Sequence, residues 1–172
     1  MMTTENVERF RRWFDYEMDA HQQTIDSLNG VADDLRKLPA FQEAVDLFAH
    51  LMCARKLWLY RFGVANEAVT ELFPRGVALE SLQSIADEVH QVWKNYLNQL
   101  DDEGLQRSFV YQAFDGGKFK NTIGDILTQL FGHSWYHRGQ IAHLLRAIGA
   151  EPAATDFVYW CREAIPDAAA SR

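Results

Sequence analysis

Cysteine is scarce in this chain: Cys53 and Cys161 are the only two among 172 residues. Two cysteines build no disulfide framework, so a reducing, cytoplasmic setting is the expectation. Basic residues are outnumbered, 17 Lys plus Arg against 24 Asp plus Glu, for a formal charge of −7. The broad basic surface that phosphate-backbone binding requires is lacking, and no nucleic-acid partner is expected. No apolar run approaches the ~20 residues of a membrane span, so no membrane partner is expected either. The opening Met-Met-Thr-Thr-Glu is not the basic-then-apolar pattern of a signal peptide. Internal repeats, low-complexity tracts and linkers are also missing. What the chain does have is 48% hydrophobic and 13% aromatic residues, too many for disorder. At roughly 100–200 residues per domain, this length predicts a single domain over 1–172 with a sizeable core.

Four long helix-like segments fill most of it. The first, Glu5 to Asn29, carries an apolar stripe of Val7, Phe10, Phe14, Met18, Ile25 and Leu28, with His21 inside it and Gly30 as a stop. Leu38-Pro39 marks a break, because proline disfavours helical geometry in the residue before it. The second segment, Ala40 to Phe62, is apolar on two sides. Phe41, Val45, Phe48, Met52 and Leu59 form one face; Leu47, Leu51, Ala54 and Trp58 form the other, with His50 beside it. Such a helix packs between neighbours. A loop from Gly63 to Gly76 follows.

The third segment, about Leu79 to Leu100, shows Leu82, Ile85, Val89, Val92, Tyr96 and Leu100 at helical spacing, and a polar stretch runs from Asp101 to Arg107. Phe109-Val110-Tyr111 and Phe119 flank Asp115-Gly116-Gly117, which reads as a small hairpin that must pack on the helices to persist. Thr122 and Asp125 fit a capping-box start for the fourth segment, whose stripe is Ile126, Leu130, Ile141, Leu145 and Ile148 before a stop at Gly149. A short last helix over Asp156 to Ala164 and a frayed tail from Pro166 complete the reading. The fold class expected is all-α, a four-helix bundle with a small β-hairpin before the last long helix.

His133 and His137 stand four residues apart on the fourth segment, on one helix face and close enough to share an ion. They also fall where the apolar stripe should continue. Buried imidazoles need partners, since an unsatisfied polar group costs about 1–3 kcal/mol, and a divalent metal would satisfy both. Two hydrogen-bonded core histidines would serve as well, and a catalytic zinc usually takes three protein ligands. His50, His21 and His90 are all candidates for the third, and spacing does not choose between His50 and His21. His143, six residues past His137, turns away from that face and is expected to be exposed.

Gly132 and Gly139 interrupt the same helix at about 1 kcal/mol each relative to alanine, which suggests close approach of a neighbouring helix or a ligand. A carboxylate-bridged di-iron bundle needs paired Glu-x-x-His motifs, and Asp87-x-x-His90 is the nearest match. A zinc protease needs H-E-x-x-H, and position 134 is serine. Cys53, three residues from His50 on an apolar helix, reads mainly as inert packing, and Cys161 has no activating pattern.

The run His133-Ser-Trp-Tyr-His137-Arg138-Gly139-Gln140-Ile141, continued by Leu144-Leu145-Arg146 and Gly149, resembles the H-x-x-H-H-R-G-Q signature of the DinB family. Asp156-Phe157-Val158, Ala49-His50-Leu51 with Trp58, and Asp115-Gly116 with Phe119 resemble further family elements, so the likeness spans about residues 5 to 164. It implies one divalent transition metal (zinc, nickel or iron) held by His50, His133 and His137, which resolves the choice against His21. Tyr136 departs from the pattern, standing where many relatives carry a second histidine, and Gln129 replaces another frequent histidine. The resemblance implies a thiol-dependent S-transferase, isomerase or related detoxification enzyme acting on a small molecule with a low-molecular-weight thiol. It also makes a homodimer plausible. Arg138 and Gln140 would be contacts behind the ligands or for substrate, or would serve ion pairing and packing. A non-catalytic metal-binding or stress-induced binding protein, or a dimer with a vestigial site, are the alternatives, and no catalytic residue is assigned.

Overall fold

Helix α1 spans Glu5–Asn29, α2 Pro39–Arg61 and α3 Leu82–Gln99; a short α4 (Asp102–Gln106), strands β1 (Ser108–Gln112) and β2 (Lys118–Thr122), the long α5 (Ile123–Ala147) and a short α6 (Phe157–Cys161) follow. The structure, a computed structural model, describes residues 5–165; the tail expected from Pro166 lies outside them. Local chemistry sets the boundaries. Leu38 is extended, with ψ 139°, and Pro39 opens α2 at a position where its missing N–H leaves nothing unpaired. Thr122 Oγ1 accepts from the Asp125 amide at 3.0 Å while Asp125 accepts from the Thr122 amide at 3.1 Å, closing the capping box. Gly149 ends the following turn at φ +80°, in the left-handed region open to glycine.

Three boundaries differ from expectation. The third helix opens with a 3-10 turn, Leu79–Ser81, and becomes α-helical only at Leu82. The polar stretch after it folds as α4, because Asp101 caps it by accepting from the Gly104 amide at 2.7 Å and Leu105 is buried. The last helix is shorter than Asp156–Ala164, ending at Cys161.

In the bundle, α1 and α2 each pack on both α3 and α5, so α1 faces α2 across the diagonal. Phe14, Ile25, Leu28, Phe48, Met52, Leu59, Trp93 and Leu145 fill the centre. The facing positions are rotated from those expected on three helices. On α3, Trp93 and Leu97 are buried while Val92 and Tyr96 flank them. On α1, Glu17 takes the buried position beside the half-buried Met18. On α5, Ser134 and Arg138 continue the stripe, and His133 and His137 lie half-buried on its flank toward α2. Gly132 and Gly139 are exposed, and an added Cβ would meet nothing within 4 Å at either among the described residues. No neighbouring helix approaches closely at either glycine, and Gly139 instead lines two surface grooves.

The hairpin is antiparallel, pairing Ser108 with Thr122 through Gln112 with Lys118, and turns at Gly116 with φ +88°. It docks on α2 by aromatic edges, Tyr111 on Trp58 at 4.9 Å and Phe109 on Phe62 at 4.9 Å. No described helix is long and apolar enough to cross a membrane.

Candidate metal centre

The α2–α5 seam brings His50, His133 and His137 together. Their nearest ring nitrogens all lie within 4.8 Å of one another, the one such group of three or more metal-ligating side chains among the described residues. His133 Nε2 is 3.3 Å from His50 Nε2 and 3.1 Å from His137 Nε2.

The outer nitrogens decide what the inner ones can do. His50 Nδ1 faces the Leu72 carbonyl at 2.6 Å, and His137 Nδ1 faces the Gln140 amide oxygen at 2.6 Å. An oxygen of either kind only accepts, so both Nδ1 atoms carry the proton and both Nε2 atoms present bare lone pairs. His133 could offer one proton between two such lone pairs. The cluster thus holds more acceptors than donors of its own, and the donor set fits a divalent transition metal bound by imidazole.

The electrostatics agree. Burial, then the neighbouring His137, His50 and Arg55, bring His133 down to about 4. Burial also lowers His137, opposed by its bond to Gln140 and assisted by His50. Both rings are thus neutral at neutral pH, the form that ligates metals.

Supports for the centre come from the long loop and from the departure noted in the sequence. Asp46, buried on α2, accepts from the Gly76 amide at 3.1 Å and the Val77 amide at 3.0 Å, which pins the loop holding Leu72. Phe73 from the same loop stacks on His50 at 4.3 Å with rings 10° from parallel. Tyr136 OH receives a bond from Gln140 Nε2 at 3.3 Å, fixing the amide whose oxygen holds His137.

Among the other candidates, His21 and His90 bond to each other, Nδ1 to Nε2 at 2.9 Å, and share no cluster with the triad. His143 is exposed, as expected. Burial pushes the Cys53 thiol up, away from a reactive thiolate. Arg138 makes its ion pair inside the bundle rather than on the surface, buried against Glu17.

Sequence reasoning missed Glu17, Arg55 and Tyr16, all buried. A signal existed for Arg55, four residues from both Leu51 and Leu59 on an apolar face, and for Glu17, one turn before His21.

A groove of about 380 Å³ opens along the same seam, walled by Glu43, Leu47, Tyr136, Gln140, His143 and Leu144. It shares Tyr136 and Gln140 with the support of His137. A larger cleft of about 530 Å³ lies by Arg138, Thr155 and Phe157; none of the three histidines lines either hollow, and the smaller groove adjoins the centre only through Tyr136 and Gln140.

Fold and site together define a helical bundle with a three-histidine cluster able to hold a metal ion. The chain belongs to the DinB family, whose model matches residues 1–168. It is similar to protein DinB of Bacillus subtilis (strain 168), at 22% identity over 152 residues, 84% of this chain and 88% of that one. The crystal structure of a DinB-like protein from Bacillus cereus ATCC 10987 shares the fold, with TM-score 0.66 and 20% identity over 88% of this chain and 99% of that one.

Proposed function

We propose that this chain is a metal-dependent enzyme in which His50, His133 and His137 hold one divalent transition metal (zinc, nickel or iron), and that it transfers a low-molecular-weight thiol to a small electrophile. The observation that carries this reading is the convergence of three Nε2 atoms, two of them bared by Nδ1–H bonds to Leu72 and Gln140. A metal bound there supplies Lewis acidity, which favours the deprotonated form of a thiol at neutral pH.

The remaining tasks belong to the chain itself. Gln140 and the Leu72 carbonyl keep two imidazoles oriented. Leu47, Leu144 and Tyr136 give the adjoining groove an apolar wall suited to the carbon skeleton of an electrophile, and Glu43 and His143 put polar groups in it. The setting proposed is cytoplasmic, the assembly a homodimer.

Elemental analysis of untagged protein, wild type beside His133→Ala, tests the metal. One transition-metal ion per chain, lost in the variant, is the expected result. A wild type that holds none and takes none on add-back removes the reading. With metal established, a panel of thiols and electrophiles should give turnover that His50→Ala abolishes while remaining folded; no metal-dependent rate across the panel removes the enzymatic part.

A further inference from the structure

Behind the triad, on the core side of both ligand helices, lies a buried ionic cluster that metal ligation does not use. Glu17 of α1 is fully buried, and its two carboxylate oxygens serve two different helices. Oε2 accepts from Arg55 Nη2 of α2, and Oε1 accepts from Arg138 Nη1 of α5 at 2.6 Å. Arg55 Nη2 also donates to Ser134 Oγ at 3.0 Å, beside His133 in the chain. Arg138 follows His137 directly, and its Nη2 donates to Tyr16 OH at 2.6 Å. Arg55 is five residues beyond His50. Each guanidinium is therefore rooted within about a turn and a half of a triad histidine, and one carboxylate joins them.

We propose that Glu17 is a positioning residue for the three-histidine centre, tying α2 to α5 so that His50 stays in register with His133 and His137. The inference rests on the metal reading only for its consequence, since the clamp is a property of the metal-free chain.

Its physical basis is the asymmetry of buried charge. Two guanidiniums share one carboxylate in the bundle centre, so each arginine depends on Glu17 for its compensation. Any sliding of α2 along α5 separates one guanidinium from the shared anion and exposes a charge to apolar surroundings, a cost that rises steeply with displacement. Leucine packing along the seam penalises a slip far less sharply. A carboxylate placed on the diagonal helix α1 reaches both partners from one point, which a residue on α2 or α5 could do only for the other helix.

Wild type, Glu17→Gln, Arg138→Lys and His21→Leu provide the test, with circular dichroism confirming that each is folded. Glu17→Gln leaves one amide oxygen for two guanidiniums. Arg138→Lys keeps the buried charge count but loses the forked donor that spans Glu17 and Tyr16, so it carries the test if Glu17→Gln does not fold. His21→Leu disturbs the same buried region, its Nε2 lying 3.6 Å from Glu17 Oε2 but making no hydrogen bond there, and leaves both arginine–Glu17 bonds in place.

Two quantities are read: the ¹H–¹⁵N signals of the triad imidazoles in metal-free protein, and Co(II) affinity with its visible absorption band. The clamp predicts moved triad signals, an altered cobalt band and roughly 10–100-fold weaker cobalt binding in both clamp variants. His21→Leu should retain the wild-type triad signals and band. A folded clamp variant with unchanged imidazole signals and unchanged cobalt band overturns the proposal, as does an equal loss in His21→Leu. A wild type that takes up no cobalt defeats the metal reading instead, and the metal-free imidazole signals still decide the clamp.

Discussion

Gln140 stands three residues after His137 on α5, and its side-chain oxygen accepts the His137 Nδ1–H at 2.6 Å while its nitrogen donates to Tyr136 OH at 3.3 Å. The amide is thus held from one side in order to hold the imidazole on the other. Replacing it by leucine, Gln140→Leu, removes the acceptor and lets His137 move its proton to Nε2. Metal affinity should fall by about 10–100-fold, the usual consequence of losing such an outer partner. Competition with a chelator measures it, and Gln140→Glu, which keeps an acceptor, should lose much less.

Phe73 makes a complementary prediction. It is 60% exposed yet stacks on His50, and its neighbour Leu72 provides the carbonyl that orients that ring. Phe73→Ala should weaken metal binding several-fold with the thermal midpoint nearly unchanged, because an exposed ring contributes little to the core. A calorimetric titration beside a melting curve separates the two effects. A large fall in the midpoint with metal binding intact would contradict the assignment.

The metal-free protein should lose stability as the solution is acidified from about pH 6.5. His90 is brought down to about 4 by burial, then by Arg55, with Asp87 opposing, and His133 is also brought to about 4. Both pKa values are lower folded than unfolded, so between about 6.5 and 4 the unfolded chain binds more protons. Their contribution is fully present above about 6.5 and is lost as pH falls through that window. Denaturant midpoints across this range should decline continuously, and His90→Gln should make the slope shallower. A flat profile would sink the prediction.

Trp93 offers a test of the core itself. It is fully buried on α3, and its indole N–H donates to the Arg55 carbonyl at 3.2 Å. Trp93→Ala should cost about 3–5 kcal/mol in urea unfolding, from lost contacts and the cavity left behind. Trp93→Phe should cost less, removing only the second donor to a carbonyl that α2 already pairs.

Much of this protein is legible along the chain. The first helix begins and ends where its apolar spacing and Gly30 place it, and the Thr122–Asp125 box and Gly149 mark α5. Capping, turn glycines and apolar periodicity act over a few residues, so the sequence carries them directly. The i, i+4 pairing of His133 and His137 is equally local.

Choices that depend on rotation of one helix against another are a different matter. Spacing left His50 and His21 equivalent; the packing of α2 on α5 puts His50 at the pair, while α3 gives His21 a partner in His90. The same rotation buries Ser134 and Arg138, turns Gly132 and Gly139 outward, and makes Trp93 rather than Val92 a core residue. Glu17 and Arg55 look like surface charges in a linear reading because their compensation comes from residues 38 and 121 positions away. The sequence by itself determined the four long helices, the hairpin and the metal-ligating chemistry available to them. Only tertiary structure decided which histidines meet and which charges are buried, because those depend on contacts between helices that no local pattern encodes.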